Sequence, residues 1–477
     1  YCGEFKSEKL LKDFANDKGL DPKKDLWQIP PSHVGHYAEQ DASLTLKLWL
    51  KLREELKAQN LKKIFLIETK LFPCIVDMKF QGVRVDLERA YSVKKKLKAE
   101  EDLKRQEIKE LCGLDVDIYA SRSIQKALDK VGVTDYGRTE TGLPSLTKNY
   151  LFKDTHKHVL PKLIGQVREI NKAHTTFIDT IIKHEYKGRI HSDINQIRSD
   201  QGGTVTGRFS YQNPNLQQIP ARNKDLGPLI RGLFIPEENC TWGCFDYNQQ
   251  EPRLVVHYAS LYKFPSVYNV VDSYQNNSKT DFHEIVAKMA KIPRTQAKTI
   301  NLGLFYGMGK AKLQAELGTT KEKAEELFKM YHGKVPFVKQ LMNVASNRAQ
   351  EHGQIRTLLG RLCRFPLWEP NQFGMHKALS HDEALREHGP GIKRAYTYKA
   401  LNKLIQGSAA DMTKKCMLEL HKEGIVPHIQ IHDELDISIE SDKESNKIIE
   451  IMENAVKLEI PNKVDYESGE TWGKINS

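Results

Sequence analysis

The sequence predicts an α+β protein of several domains, on three observations. Long stretches place apolar residues at helical spacing, among them 37–56, 87–111 and 281–352. Two other stretches, 188–245 and 425–440, read instead as short strands separated by turns. At 477 residues the chain is too long for one hydrophobic core, and two to four domains are expected.

Along the chain, residues 1–60 are expected to be helical, with YAEQDASLTLKLWLKLREEL (37–56) as the clearest periodic run. Residues 61–87 hold a second helix, then a turn at Gln81-Gly82 and the short strand VRVD. Leu87 to about Leu111 is a charged helix, its charges read as a solvated face. Residues 134–149, rich in Gly, Thr and Pro, are expected as loop. Residues 281–352 are strongly helical, and 365–392 lack a clear period and are expected as an irregular connection. The alternation in VPHIQIHDELDISIE (426–440) predicts a β-hairpin. No repeat or low-complexity tract interrupts this order.

The composition, 39% hydrophobic and 28% charged, is that of an ordinary soluble protein. No apolar run approaches the ~18 residues of a membrane span, so no membrane association is expected. No secretory leader pattern is visible, and the chain is assigned to the cytoplasm. Because the first residue is Tyr1, the sequence is expected to be a piece of a longer protein. Lys and Arg total 73 against 62 Asp and Glu, a net charge of +11 that suits a polyanionic partner. The seven cysteines are scattered, with no paired metal-binding spacing, and are read as reduced thiols.

Three pieces carry the chemistry. In CFDYNQQEPR (244–253) a short strand ends at Asp246 and a helix is expected to start near Pro252, where a missing N–H costs little. Alone, Asp246 reads equally as a helix N-cap. In HIQIHDELDISI (428–439) the alternation puts Ile429 and Ile431 on one side, and Leu435, Ile437 and Ile439 on the other. His432, Asp433 and Glu434 then form the hairpin tip. In RTQAKTINLGLFYG (294–307) steps of four place Arg294, Lys298, Leu302 and Tyr306 on one helix face. Two cations one turn apart suit a triphosphate, and an amphipathic helix with surface cations is the plain alternative.

Together and in this order the pieces resemble the polymerase motifs of family A DNA polymerases, the bacterial DNA polymerase I and phage replicase group. TGRFSYQNPNLQQIP (206–220), TDFHEIVA (280–287) and NKLIQGSAAD (402–411) extend the resemblance, which runs from about Tyr37 to the end. It implies a right-hand fold: a palm of antiparallel sheet with helical fingers and thumb. The implied divisions are an exonuclease-domain remnant (1–60), the lead into the palm (61–87), thumb (88–187), palm with the first aspartate (188–258), fingers (259–397) and palm with the second aspartate (398–477). For the charged 87–111 helix, an arm lying beside DNA is the functional alternative to the solvated face.

The resemblance further implies that Asp246 and Asp433 hold two Mg²⁺ ions, which Mn²⁺ can replace, with the backbone carbonyl of Tyr247 as a further ligand and Glu434 as a neighbour. Arg294, Lys298 and His283 would hold the incoming dNTP, with Gln249, Leu302 and Tyr306 also at the nucleotide and Lys298 protonating the pyrophosphate. Glu251 would bond Tyr306 and exclude a 2′-hydroxyl. Arg208, Asn402, Gln406 and Gln430 would contact primer–template DNA in the minor groove, where every base pair offers acceptors, and His432 would also bind the DNA. The protein would act as a monomer, with any processivity partner left open.

The sequence departs from the family pattern at Leu302, where Phe or Tyr is usual, at Pro252, and at Gln250. Tyr37 and Asp41 resemble the last exonuclease motif, and without the earlier carboxylates no proofreading is expected. A single-subunit RNA polymerase and a non-catalytic DNA-binding relative are the alternatives. Glu251 with Tyr306 argues against the first, and the retained aspartates argue against the second.

Overall fold

The computed structural model describes residues 3, 7–153, 155–199, 202–221, 223–305, 308–372, 374 and 376–476. These fall into two compact units, Tyr1–Thr69 with Leu359–Arg361, and Lys70–Leu358 with Leu362–Ser477. In the first unit a long helix, α1 (Pro31–Ala58), starts with proline in its first turn, where the absent N–H is no loss. A short helix, Lys9–Asp17, precedes it. Leu11, Ala15 and Ile29 form a small core there, with Phe14 and Tyr37 packed against it.

Helix α2 (Lys62–Gln81) ends at Gly82, which has φ 65°. A Cβ at Gly82 would lie 2.8 Å from the Ile190 carbonyl oxygen, so this turn needs glycine. Val83–Arg84 then joins a small antiparallel sheet with Arg189–Ile190 and Glu185–Tyr186. Helix α3 (Leu87–Cys112) has the predicted extent and is capped at both ends. The Asp86 carboxylate accepts from the Arg89 N–H at 2.9 Å, and Gly113 closes the far end at φ 62°. Helix α4 (Leu160–Lys172) packs on α3. A polar cluster joins this pair of helices, because buried Glu101 accepts from Arg105 at 2.6 Å and from Asn171 at 3.0 Å. Burial alone would raise the Glu101 pKa, but hydrogen bonds from His174, Arg105 and Asn171 outweigh it and hold the carboxylate below its ordinary value.

The second unit is built around a five-stranded antiparallel sheet. Its strands are β1 (Thr241–Tyr247), β2 (Ile429–Ile431), β3 (Glu434–Ile439), β4 (Val464–Thr471) and β5 (Lys474–Asn476), in the order β2-β3-β1-β4-β5. Directly paired residues point to one face, so the register sorts the side chains. Phe245 pairs with Leu435 and Tyr466, and Gly243 with Ile437, which makes one face apolar. Asp246 pairs with Glu434 and Asp465, and Cys244 with Asp436 and Glu467, which makes the other acidic. Behind the apolar face lie the Asp442–Asn454 helix, whose Met452 carbonyl accepts the Tyr247 hydroxyl at 2.7 Å, and Cys416.

Helix α5 (Gln250–Leu261) follows β1 directly, two residues ahead of the expected start at Pro252. Gln249 adopts φ 52° and reverses the chain between them. The 281–352 region is helical as expected, with α6 (Phe282–Ala290), α7 (Arg294–Phe305) and α8 (Pro336–His352) as its principal elements. The 365–392 stretch is more regular than expected. Trp368–Pro370 pairs with Ile392–Arg394, and a helix at His381–His388 lies between them. Ser380 and Glu383 form a capping box at its start, a local signal hidden among the many charges. Helix α9 (Ala400–Lys422) is buried over most of its length and packs against α5 and α8.

Candidate active site

Sequence positions far apart meet on the acidic face. β2 and β3 are joined by the two-residue turn His432-Asp433, with His432 at φ 57°, as tight hairpins require at their first turn residue. Glu434 is the first residue of β3 and faces Asp246 across the sheet. The Tyr247 N–H donates to the Asp433 carbonyl at 3.3 Å. Asp246 and Asp433 are therefore neighbours, and Asp465, which sequence reasoning passed over, flanks Asp246 on β4. No periodic signal singles out Asp465, because its strand alternates irregularly.

Burial pushes the Asp246 carboxyl well above its usual range, and Asp433, Asp465, Asp436 and Glu467 push it further. Burial likewise raises Asp433 and Glu434, while Arg208 and Arg231 respectively oppose the rise. One oxygen of Asp246, Oδ1, is buried without a hydrogen-bond partner among the described residues. Acceptor oxygens crowded together and short of donors fit a hard divalent cation. A second group of donors, from Cys244, Glu434 and Asp436, converges within 4.8 Å. There the Cys244 thiol, raised by burial, donates to Asp436 Oδ1 at 2.9 Å. A protonated thiol is a poor ligand, so Asp246 and Asp433 are the better pair.

The turn after Asp246 is clamped. Buried Arg253 donates from Nε to the Asn248 carbonyl at 2.7 Å, from Nη1 to the Pro461 carbonyl at 2.6 Å and from Nη2 to the Ser278 carbonyl at 2.7 Å. Asn248 Nδ2 donates to Asp465 at 2.7 Å. Gln250, for which the sequence offered no reason, is buried and donates weakly to the Thr413 hydroxyl on α9 at 3.4 Å. Gln249 Oε1 accepts from the Phe282 N–H at 2.9 Å, which ties this turn to the start of α6.

From α6 the contacts continue to the cationic helix. Asp281 caps α6 by accepting from the His283 N–H at 2.8 Å, and the same carboxylate receives Arg294 Nε at 2.7 Å. His283 is buried rather than presented to solvent, and its Nδ1 bonds Asn301 of α7 at 2.9 Å. Burial, together with Lys298 and Arg294, lowers its pKa to about 4 against the pull of Asp281. Lys298 is exposed and Leu302 half-buried on the same helix. Tyr306 lies outside the described residues, and so does its expected bond to Glu251. Among the described residues Glu251 accepts from Arg208 Nη2 at 2.6 Å, a pairing the sequence did not suggest because 43 residues separate the two.

Of the expected minor-groove residues, Asn402 and Gln406 lie one turn apart, half-buried, on α9. Gln430 is buried and donates to the His432 carbonyl at 2.6 Å, while Gln217 donates to the Gln430 carbonyl at 3.1 Å. His432 lies at the exposed hairpin tip, where partial desolvation of its ring, followed by Arg208, lowers its pKa despite Glu251.

Carboxylates grouped at a strand end and hairpin tip, linked by a chain of contacts to a cationic helix, are suited to phosphoryl transfer. Comparison with known proteins narrows that class. Residues 88–474 match DNA polymerase family A. A DNA-directed DNA polymerase of Pseudomonas phage M6 is 33% identical over 98% of this chain and 74% of its own. DNA polymerase I of Geobacillus stearothermophilus is 30% identical over 88% of this chain and 47% of its own. Among solved structures, the POL domain of Pol1 from M. smegmatis, in complex with DNA primer-template and dNTP, shares the fold with a TM-score of 0.74. It has 24% identity and covers 90% of this chain and 74% of its own. The chain belongs to DNA polymerase family A.

Proposed function

We propose that this protein is a template-directed DNA polymerase that extends a primer 3′-hydroxyl with dNTPs, in the setting of phage-type DNA replication. The observation that carries the reading is the juxtaposition of Asp246 with the Asp433 turn on the acidic face. These two carboxylates would hold two Mg²⁺ ions, or Mn²⁺, with the Tyr247 carbonyl as a further ligand. When bound, such ions lower the pKa of the attacking hydroxyl and neutralise charge on the leaving pyrophosphate.

The remaining roles belong to the chain's own groups. Lys298 binds the triphosphate and donates the proton the pyrophosphate needs. Arg294 has Nε and Nη2 engaged by Asp281, which orients its remaining Nη1 for a phosphate oxygen. His283, neutral and buried, positions α7 through Asn301. Glu251, held by Arg208, stands as the group that excludes a 2′-hydroxyl. Asn402, Gln406 and Gln430 verify pair shape from the minor groove. The sheet would form the palm, 259–397 the fingers and 88–187 the thumb.

Primer extension with Mg²⁺, using dNTPs and rNTPs in parallel, tests this reading. Extension with dNTPs that Asp433→Ala abolishes is the expected outcome. Preferential rNTP extension would favour an RNA polymerase, and DNA binding without extension would favour a non-catalytic relative.

A further inference from the structure

We propose that the groove between α2 and the small sheet is a second binding site, for single-stranded nucleic acid, separate from the acidic face. Phe72, Val76 and Phe80 recur every four residues on α2 and form one stripe of the helix. They are 60%, 47% and 87% exposed, values unusual for large apolar side chains in such a row. Tyr186, 62% exposed, lies with them along the same groove.

Cations interleave with these rings. Lys79, Lys187 and Arg189 line the groove together with His184 and His191, against the single carboxylate of Asp193. Asp193 is engaged by Lys79 and by Asn213, and Arg189 is paired with Glu237 at 2.7 Å. Lys187, 5.2 Å from the Tyr186 ring centroid, has no carboxylate partner among the described residues and faces a ligand phosphate. Each imidazole meets a backbone carbonyl through Nδ1, His184 that of Thr180 and His191 that of Lys79. That contact leaves Nε2 for a further partner.

Exposed flat rings between positive charges are what an unpaired strand requires. Bases stack on aromatic faces whatever their sequence, while the backbone follows the cations. A protein partner would fit the apolar stripe but would make no particular use of Lys187 set beside the Tyr186 ring. None of the residues given a role in template-directed extension lines this groove, so the inference stands beside that function.

The test uses the whole chain with its polymerase site filled by a dideoxy-terminated hairpin primer–template and the next dNTP. Labelled oligo-dT is then titrated and followed by anisotropy. We expect binding to this filled enzyme, weakened roughly tenfold by Phe72→Ala and by Phe80→Ala. Lys187→Glu should weaken binding and flatten its salt dependence. Phe80→Trp should retain affinity, with indole fluorescence quenched on binding. Extension of an unblocked hairpin should be unchanged in all four variants. Absence of binding to the filled enzyme, or equal affinity across the variants, would overturn the proposal. So would capture of an acidic amphipathic peptide without an oligo-dT response. A chain that binds oligo-dT here yet extends no primer would sink the polymerase reading and leave this site intact.

Discussion

At Asp246 every principal influence raises the carboxyl pKa, so the ionised site repels itself. A carboxyl raised on folding binds an extra proton in the folded state, and stability falls as pH rises out of the usual carboxylate range. Asp246→Asn removes that repulsion. Without divalent ions at pH 8 the variant should be more stable than the parent, on the order of 1 kcal/mol, in denaturant titrations. Mg²⁺ should raise the parent's melting temperature and leave the variant's nearly unchanged, and extension should fall by roughly a thousandfold or more. The places of Asp246 at a strand end and Asp433 at a hairpin tip were legible because strand alternation and turn position are local properties, while their pairing was suggested by the order of the motifs. Asp465 and the Arg208–Glu251 pair were not, since each depends on which distant segment lies alongside. Glu251→Ala should raise ribonucleotide incorporation, and unchanged sugar discrimination in single turnovers would count against its role. Leu302 lacks the flat face and hydroxyl usual at its position. Leu302→Tyr should increase dideoxynucleotide acceptance, read as earlier chain termination.

At the scale of elements, legibility followed local signals. Helix α3 announces both ends, through Asp86 and Gly113. Helix α5 was expected at Pro252, yet it starts at Gln250 because Gln249 takes a left-handed conformation fixed by its bond to α6. The His381–His388 helix was missed because a short capped helix gives too few turns to show a period. The junction between β1 and α5 depends on Arg253, whose planar fork reaches three carbonyls from separate segments. A lysine has one ammonium and cannot reach them all. Arg253→Lys should cost about 2–4 kcal/mol of stability and lower kcat more than it raises KM. A variant with the parent's denaturation midpoint would show that the clamp is dispensable.

Across the whole molecule, two histidines on distant elements share one condition. Burial first, with nearby cations adding to it, lowers His283 and His428 to about 4. A histidine depressed on folding leaves the unfolded chain holding more protons between that value and its ordinary ~6.5, so stability is lost as pH falls through this window. The raised carboxyls of the acidic face act in the opposite sense, so the histidine contribution is read by difference: the melting temperature of His428→Gln should gain on the parent's as pH falls from 6.5 to 4.

Primer extension by this chain requires one convergence, that of Asp246 and the Asp433 turn on a shared pair of cations. Mn²⁺ titration followed by electron paramagnetic resonance, with dideoxy-terminated primer–template and the next dNTP present, addresses it most directly. Two bound Mn²⁺ per chain are predicted, with binding lost when either Asp246→Asn or Asp433→Asn is introduced alone. Full retention of both ions by either variant would contradict it.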